Sequence, residues 1–97
     1  MLDKNITKSI VRNNTVVGNT MQIAIHTSSN DNEIYGNNIY GGEAGIEISD
    51  KSGNNTIHHN RISGSDYGIY LLEPGPLNKV VSNNIKNTSM YSLAYIG

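Results

Sequence analysis

Residues 54–71 read NNTIHHNRISGSDYGIYL, and the rest of the chain repeats this stretch. Shifted back by 23 residues it lies on residues 31–48, DNEIYGNNIYGGEAGIEI. A second shift brings Val11, Asn14, Val16, Ile23 and Ile25 under Ile34, Asn37, Ile39, Ile46 and Ile48. Forward, Val80, Asn83 and Ile85 fall under Ile57, Asn60 and Ile62, and Leu93 and Tyr95 match Ile69 and Leu71 once one residue is inserted near Ser89. At the other end, Leu2 takes the place of Ile25. A fixed period of roughly 20–50 residues marks a stacked-repeat architecture, in which each unit buries its apolar face only against its neighbours.

Each period holds three short apolar pieces. Ile23/Ile25, Ile46/Ile48, Ile69/Leu71 and Leu93/Tyr95 alternate with period two, the mark of a strand with one buried face. The other two pieces centre on Val11, Ile34, Ile57, Val80 and on Val16, Ile39, Ile62, Ile85. Asn14, Asn37, Asn60 and Asn83 lie between them, and because Asn tolerates left-handed backbone angles these positions are expected to be sharp corners. The apolar residues do not recur at helical spacing, and Asn, Ser, Thr and Gly are poor helix formers. Pro74 and Pro76 fill a connection equivalent to residues 27–31 and 50–54. The expected fold is therefore all-β: a right-handed parallel β-helix solenoid of about four coils, without a capping helix. Like residues then stack ~4.8 Å apart in a prism roughly 19 Å tall, with a column of Asn bonding from coil to coil. Leucine-rich repeats have a similar period of about 20–29 residues, but they need an apolar residue where this chain has Ser9, Asn32, Asn55 and Asn78.

The 97 residues are read as one repeat domain, a segment of a longer solenoid. With seven basic and eight acidic residues, no charge excess calls for nucleic acid or a membrane surface as partner. Cysteine is absent, which removes disulfide and thiolate chemistry. No apolar run is long enough for a membrane-spanning helix or a signal peptide.

The pattern Asn-x-Ile-x-x-Asn-x-Ile followed by Gly-Ile-x-Ile, at residues 32–48 and again at 55–71, resembles the repeats of right-handed parallel β-helix proteins. That group includes pectate lyases, mannuronan epimerases and the periplasmic accessory proteins of nitrous oxide reductase maturation. The resemblance covers residues 9–95 and implies an extracellular or periplasmic protein that binds or modifies polysaccharide. This chain is expected to be non-catalytic on its own. The alternative is a structural repeat and assembly module without carbohydrate chemistry.

In such proteins the substrate lies along the outer face of the strand placed here at Ile46/Ile48. Alternation sets Ala24, Glu47, Tyr70 and Ala94 outward in one column, and His26, Ser49, Leu72 and Ile96 in the next. His26, Glu47, Asp50 and Tyr70 are the expected substrate contacts, a flat ring beside hydroxyl-accepting carboxylates. Glu47, Tyr70 and Glu73 are the candidates for acid–base catalysis, should the chain act as a lyase or epimerase. The Asp-Pro-His-Asp run of the epimerases is missing, and Arg12 and Arg61 fall on other faces. No metal ligand and no cofactor is expected, calcium being the one ion the resemblance to lyases admits. His58 is expected to face outward between Tyr35 and Val81, and His59 to lie by the corner. Strand neighbours point to opposite sides, so the two are not expected to share an ion. Open strand edges at both ends lead to an expectation of self-association, beside polysaccharide as the possible ligand.

Overall fold

The computed structural model describes residues 2–97, which form twelve short strands and, among those residues, no helix. In chain order these are β1 (Ile10–Arg12), β2 (Thr15–Val17), β3 (Met21–Ile25), β4 (Glu33–Tyr35), β5 (Asn38–Tyr40), β6 (Ala44–Ser49), β7 (Thr56–His58), β8 (Arg61–Ser63), β9 (Tyr67–Leu72), β10 (Lys79–Val81), β11 (Asn84–Lys86) and β12 (Tyr91–Ile96). Every third strand stacks on its predecessor, giving three four-stranded sheets: β1-β4-β7-β10, β2-β5-β8-β11 and β3-β6-β9-β12. All pairings are parallel, so the chain is a β-solenoid.

The register follows the sequence period. Val11, Ile34, Ile57 and Val80 form one row, and Val16, Ile39, Ile62 and Ile85 another. Leu2 bridges to Ile25 as the repeat requires. In the last coil Leu93 pairs with Ile69, one residue beyond the usual offset, so the insertion near Ser89 is absorbed before β12 begins. Inward-facing isoleucines of the two central coils are at most 1% exposed, while Val11 and Val80 at the ends of their row are half-buried. A coil in the middle of the stack is covered from both sides and an outer coil from one. Burying one such isoleucine stabilises the fold by about 1.5–3 kcal/mol, so the two central coils carry most of the core.

Polar rows close the corners. The backbone N–H of Asn14, Asn37 and Asn60 each donates to the side-chain oxygen of the Asn one coil further on, at 3.0–3.1 Å. A second row, unforeseen in the sequence, runs Ser9, Asn32, Asn55, Asn78 with the same geometry at 2.9–3.0 Å. Ser29 and Ser52 continue a third at 3.0 Å. These bonds satisfy backbone groups that the turns would otherwise bury unpaired.

The left-handed corner is not at the Asn column where the sequence places it. It lies one residue earlier, at Asn13, Gly36, His59 and Ser82, with φ of 57°, 67°, 53° and 55°. The turn at that residue swings the next side chain, Asn14, Asn37, Asn60 or Asn83, toward the neighbouring coil, where it joins the ladder. Gly45 and Gly68, the glycines of the Gly-Ile-x-Ile motif, serve a different need. A Cβ there would stand 2.6 Å from Ile62 and 2.4 Å from Ile85 respectively, so glycine lets the third sheet close onto the second.

Candidate functional site

The predicted outer column exists as read. Ala24 pairs with Glu47, Glu47 with Tyr70, and Tyr70 with Ala94. It is not the open acidic strip the sequence suggests. Glu47 is only 7% exposed, because β6 is flanked on both edges and its carboxylate is bonded by His26 Nε2. Tyr70 is half-buried, with its ring edge-on to Tyr67 at 4.8 Å, and Tyr67 in turn stacks toward Tyr91 at 6.3 Å. Asp50 and Glu73 do not join this group. Both are exposed corner residues with φ of 54° and 47°, in register with Thr27 and Lys4, and their backbones link adjacent coils. Of the expected contacts, the fold therefore brings His26, Glu47 and Tyr70 together and leaves Asp50 and Glu73 at the turn.

A second histidine–carboxylate group stands on the first sheet. The outward rows there are Ile10, Glu33, Thr56, Lys79 and Arg12, Tyr35, His58, Val81. His58 thus faces out between Tyr35 and Val81 as predicted. Its ring stacks on Tyr35 with centroids 4.9 Å apart and planes 9° from parallel, and the Tyr35 hydroxyl accepts from Arg12 at 3.1 Å. That hydrogen bond holds the Arg12 guanidinium above its ordinary range. His58 Nε2 is 2.6 Å from Glu33 Oε2.

The expectation that His58 and His59 point to opposite sides does not hold. Their Nδ1 atoms face each other at 2.6 Å, with the rings near-perpendicular. Strand alternation holds through His58 and fails at His59, whose left-handed φ turns its side chain back over the strand end. With the Nε2 proton donated to Glu33, His58 Nδ1 is the acceptor in the 2.6 Å contact and His59 Nδ1–H the donor, so the two rings are hydrogen-bonded to each other. The only sequence signal for this is position. His59 occupies the place of Gly36, one residue before the ladder Asn.

Among the described residues, no group of three or more His, Cys, Asp or Glu is arranged to hold a metal ion. Imidazole is a good ligand for first-row transition metals, and a metal-binding His ring commonly donates its other N–H to a carboxylate, as His58 does to Glu33.

The stacked coils define a parallel β-helix protein. Residues 1–94 match the family model described as "Periplasmic copper-binding protein (NosD)", and the chain belongs to the NosD family. The match bears out the β-helix resemblance; it is to neither pectate lyases nor mannuronan epimerases. No curated protein and no solved structure matches the chain.

Proposed function

We propose that the chain is a periplasmic β-helix module that binds copper at His58 and His59. The observation that carries this reading is the hydrogen-bonded pair of Nδ1 atoms at 2.6 Å, with Glu33 holding the far nitrogen of His58; copper would take the place of the proton between the two nitrogens. Tyr35 supports the ring from one coil below, and the Asn60 ladder fixes the corner that aims His59. Bound copper supplies positive charge and further coordination positions. The protein's part is to hold two donors in place and leave the remaining positions to solvent or to another molecule. Two protein donors on an exposed corner suit reversible holding better than permanent storage. The family description supports both the periplasmic setting and the choice of metal.

The test is a competition titration of the chain with copper against a chromogenic chelator, monitored for a single site. His58→Ala and His59→Ala should each weaken binding by roughly 100-fold or more, since second-shell changes alone reach about 10–100-fold. Their thermal unfolding should shift little, because both rings lie outside the core. Copper binding that is indifferent to both substitutions would end the proposal.

Polysaccharide contact is a second reading, and the observation in its favour is the Tyr67, Tyr70, Tyr91 group on the third sheet. Such rings pack on sugar C–H faces. A glycan array probed with the intact chain and with Tyr91→Ala tests it. Self-association through the outermost strands is likewise a proposal. Leu93 and Tyr95, in line with the buried rows, are 52% and 68% exposed, and sedimentation velocity over a concentration series would reveal stacking.

A further inference from the structure

The second sheet presents two outward rows: Thr15, Asn38, Arg61, Asn84 and Val17, Tyr40, Ser63, Lys86. None of these eight residues is acidic and two are cationic, on a chain whose formal net charge is −1. Ser63 has the shortest side chain of its row and stands between Tyr40 and Lys86, two residues after Arg61. Its small size leaves a hollow of about 200 Å³ lined by Tyr40, Arg61, Ile62, Ser63, Asn84 and Lys86. Neither cation has a carboxylate partner: the basic–carboxylate contacts among the described residues are His26–Glu47 and His58–Glu33. The nearby Asp66 accepts instead from the Ser89 hydroxyl at 2.6 Å.

In the chain, the hollow's first β8 residue comes two positions after His59. His59 is the corner residue between β7 and β8, and Arg61 is the first residue of β8. We infer that the hollow is a docking point for a partner protein that presents an Asp or Glu side chain, which the fold sets beside the His58–His59 corner. The Arg61 fork suits a carboxylate, Lys86 adds charge from the facing side, and the Tyr40 ring gives the side-chain stem an apolar wall. The hollow, at about 200 Å³, is roomy enough for one acidic side chain. An open cationic hollow beside a two-donor metal site serves a transient encounter, since charge complementarity governs on-rate and register more than final affinity. The inference rests on the copper reading only for what the partner would exchange. The docking itself depends on the second sheet alone.

The experiment uses hexaglutamate as the probe and the metal-free chain at low salt, followed by amide chemical shifts. Saturable shifts at Tyr40, Ser63 and Asn84 are expected, and the Arg61→Gln/Lys86→Gln variant should bind at least tenfold more weakly. Both changed residues are exposed, so circular dichroism should confirm an unaltered fold. Raising the salt to about 0.5 M should remove the shifts, because exposed charges are screened over a few ångströms there. Absent shifts, or shifts equal in the variant, would overturn the inference. So would oligogalacturonate occupying the same amides tenfold more tightly than the peptide, which would make the hollow a glycan subsite. The His58→Ala chain should bind hexaglutamate like the wild type. If copper titration fails while the peptide shifts persist, the copper reading falls and the docking surface stands.

Discussion

Two histidine–glutamate pairs sit on this solenoid, each bridging adjacent coils, and they are built for different ends. His26–Glu47 lies mid-sheet: Glu47 is in a central strand with partners on both edges, and its carboxylate has His26 as its partner. His58–Glu33 lies at a strand end, where the next residue turns left-handed and returns a second imidazole to the first. The chemistry of the pair is the same in both. What differs is that the His58 ring has a second imidazole bonded to its other nitrogen. In the first pair the contact is an end in itself and binds one coil to the next. In the second it also orients the ring whose Nδ1 is bonded to His59.

The difference can be broken most severely through the ladder. Asn60 follows His59 and makes four side-chain hydrogen bonds, to the Asn37 amide and side chain, to the Ile34 carbonyl and to Asn83. Asn60→Ala strands buried donors and acceptors in two coils. At about 1–3 kcal/mol for each group left unsatisfied, the expected loss is roughly 3–5 kcal/mol. Differential scanning calorimetry should record a fall of well over ten degrees, at about 4–8 °C per kcal/mol for a chain of this size. Copper binding should weaken with it, since the corner that aims His59 would loosen.

Glu47→Ala probes the buried pair directly. It deprives His26 of its partner and opens a gap between Ala24 and Tyr70, for an expected loss of about 1–3 kcal/mol in urea unfolding. Copper affinity should be unchanged. A parallel loss of affinity would show that the two pairs are not independent.

Glu33→Gln should do the reverse. Stability should hold within about 0.5 kcal/mol, as for most surface substitutions, while copper affinity falls roughly tenfold because the His58 ring loses the carboxylate that fixes its tautomer.

The smallest effect concerns Asp3, the residue after Leu2 and hence in register with His26. The Thr27 hydroxyl, aided by the Lys4 backbone and the charge of His26, holds the Asp3 carboxyl below its ordinary 3.8. A depressed carboxyl contributes its stability fully above the ordinary value and loses it as pH falls through the lower folded value. Unfolding monitored below pH 3.8 should therefore fall less steeply for Asp3→Asn than for the wild type, and copper titration at neutral pH should not distinguish the two.

Much of the fold is legible in residue spacing. The row from Val11 to Val80, the bridge from Leu2 to Ile25 and the inserted residue before Leu93 all follow from matching apolar positions across the period. Corners are harder to read, since Asn favours left-handed backbone and also makes ladders. Its recurrence at Asn14, Asn37, Asn60 and Asn83 suggests the first property while the fold uses the second. The true corner column, Asn13, Gly36, His59, Ser82, varies in residue type and carries no common signature. The second ladder was visible only as a run of polar residues at Ser9, Asn32, Asn55 and Asn78.

The candidate sites divide along the same line. Period and alternation alone determine that Glu47 and Tyr70 are neighbours and that His58 faces outward, because a parallel register fixes which residues share a row. They do not determine what a side chain meets once it leaves the sheet. Three-dimensional packing decides that Glu47 is taken up by His26, that a left-handed residue folds His59 onto His58, and that a short serine between tyrosine and lysine opens a cationic hollow. Each of these depends on a side chain crossing from its own column to another, a distance that no repeat length encodes.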